Sequence, residues 1–537
     1  MHRRRHREKR MSKQIKDSNL EVHSDGGIHG SHENKIAMRD LLNDKGPGFC
    51  LAKWTQVTMH LGQGLTHSCH HPVAHKIPLD ELKENPSALH NTSFKKSIRK
   101  EMLNGGRPTE CDFCWRIEDN TGEFSDRTLK SLDAYSVHDH DSIVSMSGDE
   151  DVIPKYVEVS FSNVCNLKCS YCGPSFSSKW IEEIATHGAY ELTDNKYNGI
   201  TNVQYKDSED NPYTDAFWQW FPEASASMHT FRITGGEPLM SKHTFKVMEY
   251  LLANPNPNLD FAVNSNACVP DKLWKKFTSL SNELLQTKSV KGINLFVSAE
   301  SVEEQAEYSR YGMDWNMFTE NVEYFLDNVD GARVTFMAAF NVFSIPSFKK
   351  LLEYVLFLKQ SYNGNGLAEW FEECGLNISY TYQDKFMTPI FKDRPRAEWS
   401  NRVAIDIPYV RHPKFLDANI ITLALVQDYL YPAAEFMYKN TTTDGWDDGL
   451  GFLANESLKL RRILIDILQN IKDQTAPDNT TTNQSISAKR VDFVKFVNEY
   501  DIRRNLNFLE TFPEMKEFYR ICELECKKNE TVNENQQ

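Results

Sequence analysis

Between residues 155 and 385 the spacing of apolar residues switches repeatedly between a period of two and a period of three to four. "YVEVSF" (156–161) alternates as a half-buried strand does. Five further runs read as strands: "HTFRIT" (229–234), "LDFAVN" (259–264), "GINLFVS" (292–298), "ARVTFMA" (332–338) and "LNISYTY" (376–382). Between them, "SKHTFKVMEYLLA", "DKLWKKFTSL", "DWNMFTENVEYFLDNV" and "SFKKLLEYVLFLKQ" carry apolar residues at helical spacing. Strands alternating with helices dictate βαβ units and a parallel sheet. Six repeats fall short of the eight that close a barrel. The expectation is therefore an α/β protein with an open, partial (β/α)6 TIM-like barrel, its chemistry gathered at the carboxyl ends of the strands.

The rest of the chain is organised around that core. Residues 1–40 are polar and read as a disordered lead, opening on the basic run "MHRRRHREKR". Residues 41–145 hold four cysteines, Cys50, Cys69, Cys111 and Cys114, and read as a separate cysteine-rich domain. The core spans 150–385, and within it residues 187–228 read as a long loop or lid. After about 385 the strand–helix rhythm stops. Residues 386–537 read as a mainly helical extension, interrupted by a Thr/Asn/Ser-rich linker at about 474–488.

Charge and cysteine usage narrow the setting. Lys and Arg number 61 against 75 Asp and Glu, a net charge of −14. Such a surface repels nucleic-acid phosphates and anionic lipid, so neither is an expected partner. The basic start lacks the apolar stretch of a signal peptide, and no apolar run reaches the ~18 residues that span a membrane. A cytoplasmic protein is expected. There, eleven cysteines point to metal or redox chemistry, because the compartment keeps thiols reduced.

The first strand runs into "SNVCNLKCSYCGP" (162–174), where Cys165, Cys169 and Cys172 form C-x3-C-x2-C. Thiolates are soft ligands that favour iron–sulfur clusters and zinc. Structural zinc wants four closed ligands. Three thiolates on an iron–sulfur cube leave one iron open to a substrate or cofactor.

This loop, with Tyr171 before its last cysteine, resembles that of the radical S-adenosylmethionine superfamily. "TGGEP" (234–238) after the second strand matches that family's Gly-Gly-Glu-Pro element, and "NSNA" (264–267) and "VSAES" (297–301) end the third and fourth strands. The resemblance covers about 155–385. It implies a [4Fe–4S] cluster on Cys165, Cys169 and Cys172 and S-adenosylmethionine bound beside it. Gly235 and Gly236 would admit the methionine part by close backbone approach. Glu237 would hold that turn or pair with the ammonium group. Ser298 and Glu300 would face the ribose, Tyr171 the adenine, and Asn264 with Ser265 the cofactor's rim. Asn341 is a weaker candidate, and Arg310 reads as a structural helix-end charge. No catalytic side chain is assigned.

Cys50, Gly64 and Cys69 (C-x13-G-x4-C) with Cys111 and Cys114 (C-x2-C) resemble the SPASM/twitch cluster-binding extension, here placed before the core rather than after it. That resemblance implies a second [4Fe–4S] cluster relaying electrons; a zinc knuckle is the alternative, with His67, His70, His71 and His75 close by in sequence. The implied partners are a peptide or small-molecule substrate and an electron donor such as flavodoxin or ferredoxin. The rival to an enzyme is a non-catalytic zinc- or cluster-stabilised binding protein. Cys268, Cys374, Cys522 and Cys526 read as core packing.

Overall fold

The computed structural model describes residues 32–193, 204–206, 209–362, 402–441, 451–474 and 480–534. It is an α/β protein built on a nine-stranded, mostly parallel sheet. The strands in chain order are β1 (Gln56–His60), β2 (Leu65–His67), β3 (His75–Lys76), β4 (Tyr156–Ser160), β5 (Lys168–Cys169), β6 (Thr230–Thr234), β7 (Asn256–Ser265), β8 (Val290–Ser298), β9 (Arg310–Tyr311), β10 (Arg333–Met337) and β11 (Val403–Asp406). The large sheet runs β11-β10-β8-β7-β6-β4-β1-β2-β3, and β5 pairs with β9 in a small separate ladder. From β11 to β1 every neighbour is parallel; β2 and β3 return antiparallel.

The alternation seen in the sequence is an in-and-out alternation of burial. Val157 and Val159, Phe231 and Ile233, Leu295 and Val297, Val334 and Phe336 are buried in the main apolar core. The intervening residues are Glu158, Arg232, Phe296 and Thr335, three polar and one aromatic. Arg232 Nε donates to Asn264 Oδ1 at 2.8 Å, its guanidinium lies 4.0 Å over Phe296, and Thr335 Oγ1 donates to Asn294 Oδ1 at 3.0 Å. A parallel sheet covered on both faces reads as continuous apolar runs. This one keeps a polar face.

Several expectations need correction. The lead was expected to be disordered through residue 40, but His32–Lys45 is a helix whose Met38, Leu41 and Leu42 are buried. The N-terminal segment also adds β1 to the sheet, with Val57↔Val157 and His60↔Ser160 in register. Its helices form a second core around Met38, Phe49, Trp54 and Trp115. The expected loop at 187–228 contains the helix Pro212–Ser225, capped by Asn211 and burying Tyr213, Phe217, Trp220 and Phe221. Past residue 385 the rhythm does not stop at once, since β11 pairs with β10. The expected linker gives way to the helix Thr480–Arg504. The expected strand at 376–382 lies outside the described residues. No helix among the described residues is long and apolar enough to cross a membrane.

The C-terminal helix Thr480–Arg504 is a strut beneath the cysteine loop. Arg504 lies 2.7 Å from Glu183 with both side chains almost fully buried. It also donates to the Tyr190 hydroxyl at 2.8 Å and stacks 3.7 Å over Tyr500. Tyr500 in turn donates to the Tyr308 carbonyl at 2.8 Å. Removing one partner of a buried ion pair costs about 3–5 kcal/mol when the other is left alone; Glu183 keeps Lys168 at 2.9 Å and the Tyr190 hydroxyl at 2.7 Å, which places the cost near the lower end of that range. Arg504→Met is therefore expected to lower the unfolding free energy by about that much in denaturant titration. A loss below about 1 kcal/mol would show that the strut carries no weight.

Candidate functional site

The loop after β4 is tied down from both sides. Gly236 N donates to Ser162 O at 3.2 Å and Glu237 N to Val164 O at 2.7 Å. Ser178 N donates to Asn163 O at 2.8 Å, and Cys165 N to Ser178 Oγ at 3.2 Å. Trp180 Nε1 donates to Cys169 O at 3.0 Å, and Cys172 N turns back to the same carbonyl at 2.9 Å. The β5–β9 ladder sets Cys169 opposite Arg310.

The three thiols of this loop share one small space. Burial pushes the Cys165 thiol up to about 12, with Cys169 adding to the rise. Cys172 is raised by burial and then by both Cys169 and Cys165. Burial raises all three thiols, Cys169 included, and the neighbouring cysteines add to the rise at Cys165 and Cys172; such a set is suited to a metal, which neutralises the thiolates it binds.

Arg310 is more than a helix-end charge. Its guanidinium is buried, donating from Nε to Glu300 Oε2 at 2.9 Å, from Nη1 to Cys169 Sγ at 3.5 Å, and from Nη2 to the Tyr171 hydroxyl. Glu300 also accepts from Ser309 Oγ at 2.8 Å and from Tyr171 at 3.2 Å. The Glu300 carboxylate is thus fully buried and committed to placing Arg310, and the Tyr171 hydroxyl is engaged in the same network. Ser298, at the end of β8, makes no side-chain hydrogen bond among the described residues and is half-buried.

The glycines are required by close approach. A Cβ on Gly236 would meet Val164 O at 2.3 Å, and one on Gly235, whose φ is +125°, would meet Ser160 Oγ at 2.6 Å. Val164 lies in the cysteine segment, and the Gly235 Cβ would also meet Ser162 O of that segment at 2.7 Å, while Ser160 ends β4 just before it. Glu237 accepts from Leu239 N at 3.1 Å, Ser265 Oγ at 2.9 Å and Asn266 N at 2.7 Å. It holds the turn and clamps "NSNA" to it. Asn264 is engaged by Arg232. Asn341 is fully buried in a capping box with Ser344. Two asparagines inside the motifs, to which the sequence reading assigned no role, complete the junction. Asn266 Nδ2 donates to Asn166 Oδ1 at 2.8 Å, and Asn166 Nδ2 to Cys268 O at 2.7 Å. Asn166 lies inside the cysteine run, where an Asn between two ligand positions is the available signal.

The second cysteine set also meets in space. Cys50, Cys69, Cys111 and Cys114 line one cavity with Lys53, His71, Trp115 and Asp126. Burial raises the Cys50 thiol, and Cys69, Cys111 and Cys114 raise it further. Burial likewise brings Cys111 up to about 11, opposed by Lys53. Among the nearby histidines, His70 and His71 flank Asp126 at 3.1 and 2.8 Å, a grouping compact enough to hold an ion. His67 bonds the Cys69 carbonyl and His75 bonds Thr92 at 3.1 Å. Cys522 is buried, Cys526 is partly so, and Cys268 donates to Asp314 O at 3.4 Å. Cys374 lies outside the described residues.

No protein-family model matches the chain, and no curated protein or solved structure does either.

Two outcomes follow from this geometry. Gly236→Ala is expected to displace the loop and cost about 1–3 kcal/mol, read by thermal unfolding. Glu237 supplies a pH test. Burial raises its carboxyl to about 7 from an ordinary 4.5. The folded chain therefore keeps a proton that the unfolded chain has released, so stability falls as pH rises from about 4.5 to 7 and then levels. The difference in stability between wild type and Glu237→Gln is expected to shrink over that window. A difference independent of pH would contradict a raised carboxyl.

Proposed function

We propose that this chain is a radical S-adenosylmethionine enzyme that modifies a peptide or small molecule. The observation that carries the reading is convergence. "TGGEP", "NSNA" and "VSAES" leave three different strands, and each bonds to the cysteine segment or to a residue that does. The strands β4, β6, β7, β8, β10 and β11 are read as an open, partial (β/α)6 barrel, with β1 as an added flank.

The residues fit an iron–sulfur cube at the loop. Cys165, Cys169 and Cys172 would hold it, leaving one position for S-adenosylmethionine. The chemistry such a centre supplies when bound is one electron that splits the sulfonium and yields a 5′-deoxyadenosyl radical able to take hydrogen from substrate. The protein's part is placement. Arg310, fixed by Glu300, directs a donor at the Cys169 sulfur, the kind of contact that sets a cluster's potential. The Gly235–Gly236 backbone abuts the loop with no side chain between, and Ser298 offers an unengaged hydroxyl at the same strand ends. Cys50, Cys69, Cys111 and Cys114 fit a closed four-thiolate centre, suited to electron relay. An electron donor of the flavodoxin or ferredoxin type would feed the chain.

Anaerobically prepared protein is expected to hold about eight irons per chain with matching labile sulfide. Changing Cys165, Cys169 and Cys172 together to Ala should abolish 5′-deoxyadenosine formation and remove about half of that iron. Zinc without labile sulfide would instead establish the rival, a metal-stabilised binding protein. Cys111→Ser should keep uncoupled 5′-deoxyadenosine formation while blocking substrate turnover; full turnover in that variant would reduce the N-terminal set to scaffold.

A further inference from the structure

Apart from the thiols, one group of side chains brings together three donor atoms of another chemistry. His70 Nε2 lies 3.1 Å and His71 Nε2 2.8 Å from the same oxygen, Asp126 Oδ2. The three donor atoms fall within 4.8 Å of one another, and no cysteine sulfur joins them. Among the described residues, Asp126 makes no ion pair with a Lys or an Arg.

The donors come from two distant stretches of chain that the N-terminal core fixes separately. Asp126 opens the helix Asp126–Ser131, and both of its neighbours are anchored. Ser125 Oγ accepts from Arg127 N at 3.3 Å, and the buried Arg127 guanidinium lies 2.9 Å from Glu118. On the other side, the His71 ring stacks 3.7 Å from Phe113, with 16° between the planes. Phe113 stands between Cys111 and Cys114, so the C-x2-C element orients His71 without ligating through it. The side chains of His71 and Asp126 are 14% and 29% exposed, whereas His70 is 59% exposed. Protein therefore covers one side of the group, and the His70 side is open to solvent.

The spacing selects a coordination geometry. Metal–nitrogen and metal–oxygen bonds of about 2.1 Å place donors at right angles about 3.0 Å apart, and donors at the tetrahedral angle about 3.4 Å apart. The two imidazole–carboxylate spacings match the first. Two imidazoles and one carboxylate at neighbouring corners of an octahedron leave the remaining corners to water, an arrangement suited to a divalent first-row transition metal. Without an ion the same atoms hydrogen-bond to one another; an ion seated between them replaces those bonds with ligand bonds.

We propose that His70, His71 and Asp126 form a mononuclear site for a divalent transition-metal ion, separate from both thiol sets. The ion would join the segment after Cys69 to the helix Asp126–Ser131, two walls of the four-cysteine cavity. No sulfur ligand is involved, so the site stands or falls independently of the iron and sulfide content of the chain.

Manganese(II) is the probe, because it favours oxygen and nitrogen donors and leaves thiolates to softer metals. Full-length protein is prepared anaerobically, passed over chelating resin and titrated with manganese(II), the free ion being read by electron paramagnetic resonance. A single ion is expected per chain, with spin-echo modulation from directly bound imidazole nitrogen. His71→Gln and Asp126→Asn should each weaken binding at least about tenfold. Should either variant fail to fold, His70→Gln carries the test, since its side chain is exposed and its loss should also weaken binding at least about tenfold. No ion held at about 1 mM manganese(II), a bound ion lacking imidazole nitrogen, or undiminished affinity in His70→Gln would each overturn the proposal.

Discussion

Everything at the carboxyl end of this sheet depends on one backbone contact, the seating of residues 162–164 against Gly235, Gly236 and Glu237. Two main-chain hydrogen bonds, Gly236 N to Ser162 O and Glu237 N to Val164 O, join the segment that enters the cysteine loop to the turn after β6. Any Cβ on Gly236 would fall 2.3 Å from a carbonyl oxygen, so only glycine permits the approach. Glu237 then passes the constraint on. Its carboxyl binds Ser265 and Asn266, and Asn266 reaches back to Asn166 between the first two cysteines. A ring of short contacts thus fixes the loop before any metal is considered.

The two cysteine sets are supported in different ways. The three-cysteine loop hangs from the sheet and is propped from below by Trp180, Tyr500 and the Arg504–Glu183 pair. The four-cysteine set is assembled by the smaller N-terminal core, with Trp115 and Phe113 packed around it. The link between the two regions is β1. It lies in the common sheet, and its last residue, His60, stacks against His67 two residues before Cys69. The polar face of the sheet sits between these supports, with Glu158, Arg232, Asn264 and Asn294 where a fully covered sheet would carry Val or Ile.

The central strands were legible because their alternation records burial directly: Val157 and Val159 go in while Glu158 stays on the polar face. β1 was not legible for the same reason inverted. Its sequence alternates, with Val57 and Met59 between Gln56, Thr58 and His60, but Gln56 to Met59 are all buried, so the polar positions that suggest an open face are covered, and the run is only five residues long. β11 is only four residues long, and the helix His32–Lys45 hides its apolar stripe among charged neighbours. Glu300 shows the same limit at the site. Its motif suggested an open carboxylate, but Arg310 and Ser309 claim it completely.

The sequence by itself determined the strand–helix order from β4 to β10 and the local chemistry of the cysteine run. Both are short-range: period two is set within five residues, and C-x3-C-x2-C spans eight. Tertiary structure alone decided which distant groups meet. Arg310 reaches the Cys169 sulfur across 141 residues of chain because a two-residue ladder aligns them. Cys50, Cys69, Cys111 and Cys114 share a cavity because three separate segments pack on one small core. Such meetings are set by burial and backbone pairing summed over the whole fold, and no local period in the chain encodes them.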